Sequence, residues 1–301
     1  MVLPRTVAVA ASTSSFRISL TSLSTINYKF QLCHSSISLH CPRLQSTVAC
    51  FSQQQNHSIR SPNLVALEYA DLNLPHICVE LGHIRVRQHV NPLSSALSVP
   101  AKAPDWNDVF KDPSLPLMID IGCGSGRFLL WQAKQNVGSN NYLGLEIRKK
   151  LAERANIWAK ELGLYNAYFM FANATVSFQQ LASSYPGPLV LVSILCPDPH
   201  FKKKHHKRRV LQKPLVDSIV DRLTSGGRVF VQSDVHEVAV DMRTQFDFVS
   251  NIQHVDIIDP NFVCDPDGWL LKNPMGIRTE REIHAELECA KIYRRMYQKR
   301  T

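Results

Sequence analysis

No Asp or Glu occurs before Glu68 in this 301-residue chain, whereas Ser and Thr crowd the first fifty positions and Arg5, Arg17, Lys29 and Arg43 are spaced among them. An acid-poor, hydroxyl-rich, mildly basic leader has the composition of an organellar transit peptide, and such a segment stays out of fold reasoning. An unstructured tail shares that composition. Residues 1–50 are expected to direct import, with "STVAC" (46–50) as the cleavage region. The chloroplast is favoured over the mitochondrion because hydroxyls outnumber arginines. The eight cysteines include no C-x-x-C pair, and Cys33, Cys41 and Cys50 fall in the leader. Neither a metal site nor a disulfide framework is indicated. No apolar run approaches the roughly 20 residues that cross a bilayer, so the mature protein is expected to be soluble, without a membrane partner. No internal repeat is present, and nothing calls for an obligate protein partner.

What is there begins with an uneven charge. The net formal charge is +9, and without residues 1–50 it falls to +5. Residues 202–213 alone hold seven basic side chains and no acid, so the rest of the mature chain is near −2. One concentrated basic patch points to a polyanionic partner.

From about residue 115, short β-type runs alternate with helix-period segments. "LPLMIDIG", "NYLGLEI", "NAYFMFAN", "LVLVSILCP" and "RVFVQSD" read as strands; "GRFLLWQAKQN", "RKKLAERANIWAKELGL" and "PLVDSIVDRLTSGG" read as helices, the last ending in Gly. Strands apolar at successive positions belong to a parallel sheet covered on both faces. The alternation predicts a doubly wound α/β fold over residues 105–301, with ligands at the carboxyl ends of the strands. Residues 51–104 read as a linker ("NHSIRSPN") and an N-terminal extension with an alternating stretch and a turn at Asn91-Pro92.

"DIGCGSGR" (120–127) is strand, glycine turn, helix. Gly122, Gly124 and Gly126 permit tight turning and close approach of a ligand. A nicotinamide-binding loop, G-x-G-x-x-G, would place its third glycine at Arg127. The observed D-x-G-x-G-x-G resembles instead the first motif of S-adenosylmethionine-dependent methyltransferases, which implies a Rossmann-like class I methyltransferase fold and S-adenosyl-L-methionine as cofactor. That cofactor carries a sulfonium and an ammonium and no phosphate, and Asp120 suits such positive charge. Glu146, ending the second strand, is placed to accept from ribose hydroxyls, or is a surface acid. Asn173, with Ala174 beside it, is placed to meet the adenine, or caps the following helix.

"PDPHFKKKHHKRR" (197–209) sets Asp198 between two prolines and runs into the basic patch. It resembles the P-D-P-W-x-K-x-x-H-x-K-R-R signature of bacterial-type tRNA (guanine-N7)-methyltransferases. The likeness extends over about residues 80–301, including "RVRQHVNPLS", "SD" at 233–234 and "TERE" at 279–282. His200 stands where that family has tryptophan. The resemblance implies methyl transfer to N7 of a variable-loop guanine (position 46) of tRNA. It puts cofactor carboxylates at Asp120, Glu146 and Asp198, with the adenine acid replaced by the amide of Asn173. It puts substrate contacts at Lys202, Asp234 and the stretch from Thr279 to Glu282.

The chemistry suits an acid better than a base. Guanine N7 has a free lone pair, so no proton need leave before methyl transfer, and the purine becomes cationic. A fixed carboxylate can hold the N1–H and N2–H edge and offset that charge, the role given to Asp198; a turn carboxylate is the plainer reading. Lys203, Lys204, Lys207, Arg208 and Arg209 would hold tRNA phosphates without reading sequence, though a solvated loop or an import signal has the same composition. His205 and His206 have no metal-site pattern. Thr279-x-x-Glu282 is also a capping box. Arg85, Arg87 and His89 read either as nucleotide contacts or as a surface strand. Two other functions share these features: an RNA-binding protein that has given up catalysis, and a methyltransferase for another substrate. The intact Asp120, glycines, Glu146 and Asp198 argue against the first, and the basic run against the second.

Overall fold

The runs with successive apolar residues become the parallel part of a seven-stranded sheet in the computed structural model, which describes residues 61–74 and 90–301. The strands are β1 (Leu117–Ile121), β2 (Asn141–Glu146), β3 (Ala167–Phe171), β4 (Leu189–Leu195), β5 (Leu223–Ser233), β6 (Ile252–His254) and β7 (Tyr293–Lys299). Their order is β3-β2-β1-β4-β5-β7-β6; β1 to β5 run parallel, and β7 is antiparallel to both β5 and β6. Every residue of β1 and β2 is buried.

Alternate side chains of a strand point to opposite faces, and two hydrophobic layers result. Leu117, Ile119 and Ile121 pack with Phe178, Leu215, Ile219 and Met242. Met118 and Tyr142 pack on the other side with Phe128, Leu129, Ala155 and Trp158. The helices that supply these residues are Arg127–Gln135, Lys149–Glu161, Ala174–Ser184, Lys213–Arg222 and His236–Asp247. The predicted doubly wound α/β architecture is present. Strand order reverses at β1, which lies between β2 and β4, and that switch point opens a crevice at the carboxyl ends.

Two readings of the sequence are corrected. The helix expected to run on to Gly226 and Gly227 stops at Arg222, because Leu223 turns extended (φ −57°, ψ 138°) and already pairs with Leu189. The ladder then jumps to Leu191 opposite Arg228. The glycines sit in this irregularity, with Gly226 at φ 77°, where they bend a strand. The second correction concerns the linker "NHSIRSPN", whose end enters a helix, Ser61–Glu68. Val65, Tyr69, Leu72 and Leu74 from this segment join the second hydrophobic layer, and Glu68 forms an ion pair with Arg278.

The turn at Asn91-Pro92 is present, closed by Ser94 N–H donating to Asn91 O (3.2 Å). The leader 1–50 and Arg85, Arg87 and His89 lie outside the described residues. Among the described residues the four cysteines are free, and no helix is long and apolar enough to cross a membrane.

Candidate active site

The loop after β1 holds Gly122, Gly124 and Gly126 at φ 82°, 59° and 85°, a region L side chains rarely adopt. The glycines differ in what they make room for. A Cβ on Gly122 would meet nothing within 4 Å, whereas one on Gly126 would lie 2.7 Å from Ala155 Cβ and 2.9 Å from Phe169 Cε1. Gly122 therefore leaves the backbone open to a ligand, and Gly126 lets helix Arg127–Gln135 close on its neighbours. Arg127, at the position a nicotinamide loop reserves for glycine, pairs with Glu280 (2.7 Å) and lies over the Trp158 ring (5.0 Å).

Asp120 is buried in register with Ser193 of β4, whose hydroxyl donates to Asp120 Oδ1 (2.6 Å). Burial pushes its pKa up to about 7; the hydroxyl opposes this and the negative charge of Glu146 adds to it. A cation at this point would restore the charged form. Glu146 is no surface acid. Its carboxylate accepts from Gly124 N (2.9 Å), Arg148 N (2.9 Å), Arg148 Nε (2.8 Å) and Arg148 Nη2 (2.9 Å). Hydrogen bonding to Glu146 holds the Arg148 guanidinium above its ordinary pKa.

Asn173 lines the cavity, but its amide is fully engaged. The NH₂ group donates to Pro92 O and Leu97 O (3.0 Å each), and Oδ1 accepts from Thr175 N (3.2 Å) and Thr175 Oγ1 (2.8 Å). The helix cap is the role this side chain performs, and the adenine contact assigned to it has no donor or acceptor left in this arrangement. Ala174 is buried beside it.

The Asp198 loop is held on both flanks. Cys196 (φ 50°) and His200 (φ 43°) are left-handed without being glycine, at a cost of about 1–3 kcal/mol each, which the surrounding structure must hold in place. Cys196 N donates to Gln232 O (2.7 Å), and His200 N donates to Asp198 Oδ1 (3.2 Å). Burial pushes the Cys196 thiol up to about 12, so it stays protonated.

Arg209 requires a correction. Expected to meet phosphate, it is buried; it donates from Nε to Pro199 O (3.0 Å) and pairs with Glu237 (2.7 Å) and Asp241 (3.2 Å). It is the tether of the Asp198 loop. Lys202, Lys203, Lys204 and Lys207 are exposed on a 3₁₀ turn, Lys203–Arg208, and its cap. Arg208 lines the cavity, and its Nε has no hydrogen-bond partner among the described residues.

Asp234 also lines the cavity, held by Arg281 Nε (2.9 Å) and Nη2 (2.5 Å). Thr279 and Glu282 form the capping box of helix Glu280–Leu287. Glu282 is the second corrected substrate residue. It is fully buried and bonded to Arg294, Asn273, Gln232 (3.1 Å) and Thr279 N (3.2 Å). Thr279, Glu280 and Arg281 face the cleft instead, and Glu280 also accepts from Ser125 Oγ in the glycine loop.

Two adjoining cavities make up the cleft. One, of about 460 Å³, is lined by Glu146, Ala172, Asn173, Ala174, Asp198 and Asp234, among others. The other, of about 390 Å³, is lined by Asp120, Gly124, Thr279 and Glu280 among others. Gly122, Arg148, Cys196 and Arg281 belong to both. The sequence reading missed Arg148 and Tyr69, which also lines the smaller cavity. Only Arg148 left a trace, two residues after Glu146.

Open backbone at Gly122, a buried acid with a raised pKa and a carboxylate ending β2 fit S-adenosylmethionine, which brings an electrophilic methyl on a cationic sulfur. The fold and the cleft are those of a class I methyltransferase. Residues 114–294 match the family model described as "Putative methyltransferase". The tRNA (guanine-N(7)-)-methyltransferase of Synechococcus sp. (strain JA-2-3B'a(2-13)) is 46% identical over 220 residues, covering 73% of this chain and 86% of that protein. Those of Synechococcus elongatus and Synechocystis sp. are each 43% identical over 218 residues, covering 72% of this chain and 97% and 96% of theirs. The chain belongs to the tRNA (guanine-N7)-methyltransferase family.

Proposed function

We propose that this chain transfers the methyl group of S-adenosylmethionine to N7 of a guanine in tRNA, at variable-loop position 46, and does so in the chloroplast. One observation carries the reaction: Asp198 lines the cofactor cleft on a loop that continues directly into four exposed lysines. A polyanion held by Lys202, Lys203, Lys204 and Lys207 has a base within reach of the carboxylate. Asp198 accepts from the N1–H and N2–H edge of the guanine, orients N7 towards the methyl and offsets the charge that grows on the purine. Arg208, which lines the same cavity, adds positive charge near the base. The leader's composition supports the compartment.

Unmodified tRNA incubated with labelled S-adenosylmethionine should acquire label at a site cleaved by N7-methylguanosine chemistry. Asp198→Asn should lower single-turnover methylation by about 10²–10³. Its tRNA dissociation constant should move by less than about threefold, because phosphates carry most of the affinity. Near-normal turnover in Asp198→Asn removes the electrostatic role. Label at an atom other than N7 removes the reaction.

A further inference from the structure

We propose that Phe201 is a stacking platform for a base of the tRNA substrate, an inference that rests on the function proposed above. Phe201 is 69% exposed, yet it lines the larger cavity together with Asp198, His200 and Arg208. Leaving a phenylalanine in water forgoes the favourable burial of its ring. Among the described residues lining that cavity it is the only Phe, Tyr or Trp.

The backbone accounts for its position. His200, at φ 43°, turns the chain after Pro199. The His200 side chain is 12% exposed, with Nδ1 3.8 Å from Asp198 Oδ1, and Phe201 is the side chain that faces out. Here the histidine ring lies against the acid, and the aromatic surface at the rim belongs to the next residue.

The surroundings select the occupant. Phe201 is followed by exposed Lys202, Lys203 and Lys204. A flat apolar ring beside a row of cations complements a nucleobase whose flanking phosphates carry negative charge, and stacking on an aromatic ring needs no particular base. An unstacked guanine, or its neighbour once the guanine leaves the stack, has a free π-face to lay on this ring.

The test compares Phe201→Ala, Phe201→Leu and Phe201→Trp in the full chain. Alanine should lower kcat/KM for tRNA by about 5- to 150-fold, the span seen when one base-stacking aromatic is removed. Leucine, apolar but without a π-face, should stay low, and tryptophan should stay near wild type. The salt slope of tRNA binding and the melting temperature should not change, because the ring carries no charge and is 69% exposed. An alanine variant within twofold of wild type overturns the proposal, as does full activity with leucine or a loss that tracks a lower melting temperature. If the wild-type chain binds tRNA but leaves N7 unmodified, the reaction proposed above fails. Phe201 is then judged on the tRNA affinity of the same three variants, where unchanged affinity in alanine overturns it.

Discussion

Arg209→Ala separates two roles that the same residue type can play. If Arg209 is the tether of the Asp198 loop, its removal loosens the fold around Asp198. The Nε hydrogen bond to Pro199 O, from a charged donor, contributes about 1.5–3 kcal/mol. The ion pairs contribute less, because Glu237 is 58% and Asp241 34% exposed at the side chain; water screens the Glu237 pair most, and the Asp241 pair adds about 0.2–1 kcal/mol. Together the loss is about 2–4 kcal/mol. In a folded unit of this size, each kcal/mol lowers the melting temperature by about 2–4 °C, so the variant should melt roughly 4–16 °C lower.

The slope of log affinity for tRNA against log salt should be unchanged, because no phosphate contact is lost. Replacing Lys203, Lys204 and Lys207 together with Gln is the contrasting perturbation. It should flatten the slope by about two to three units and leave the melting temperature in place. Arg209→Lys should fall between wild type and alanine, since an ammonium cannot reach three diverging acceptors as a guanidinium fork does. The reasoning is refuted if Arg209→Ala melts like wild type and flattens the salt slope by about 0.7–0.9, the signature of one lost phosphate contact.

The remaining predictions concern Asp120 and the leader. Asp120 holds its proton to about pH 7 when folded but only to about pH 4 when unfolded, so the fold binds the extra proton in that window. Stability from this group is fully present below about pH 4 and is lost as pH rises through 7. Denaturant unfolding of the cofactor-free protein should show this falloff, Asp120→Asn should abolish it, and S-adenosylmethionine affinity should rise from about pH 6 to 8; a pH-independent affinity refutes the assignment. Residues 1–50 fused to a fluorescent reporter should carry it into chloroplasts, and cytosolic retention removes the targeting role.

Much of the fold was legible because its signals are local. Apolar residues at successive positions marked β1 to β4, since a strand buried on both faces has no room for alternation. The glycine spacing announced the cofactor loop because a backbone at φ near +60° to +85° narrows the choice of residue. The two failures were boundary failures. Gly226 and Gly227 read as a helix end, but the choice between cap and bulge was settled by pairing with β4, where Leu189 faces Leu223 and Leu191 faces Arg228. Ser61-Pro62-Asn63 read as linker because turn-forming residues also begin helices, and the apolar face that completes this one packs on residues distant in sequence.

The site was legible by residue type and illegible by direction. A carboxylate or an amide is recognisable in a sequence, but which partners fill its hydrogen-bonding capacity is a tertiary fact. Asn173 has two N–H groups and one oxygen, and all are taken by Pro92, Leu97 and Thr175. Glu282 and Glu280 are two residues apart at the start of one helix, where about 100° per residue turns them to different sides. Glu282 faces inward and is saturated, while Glu280 faces the cleft and ties Ser125 and Arg127 of the glycine loop to that helix. The same logic divides the basic run. A tight turn exposes Lys203, Lys204 and Lys207, brings Arg208 to the cavity and sends Arg209 under the loop. A basic signature thus mixes lysines left in solvent with one arginine that holds the Asp198 loop in place, and only the partners of each side chain tell them apart.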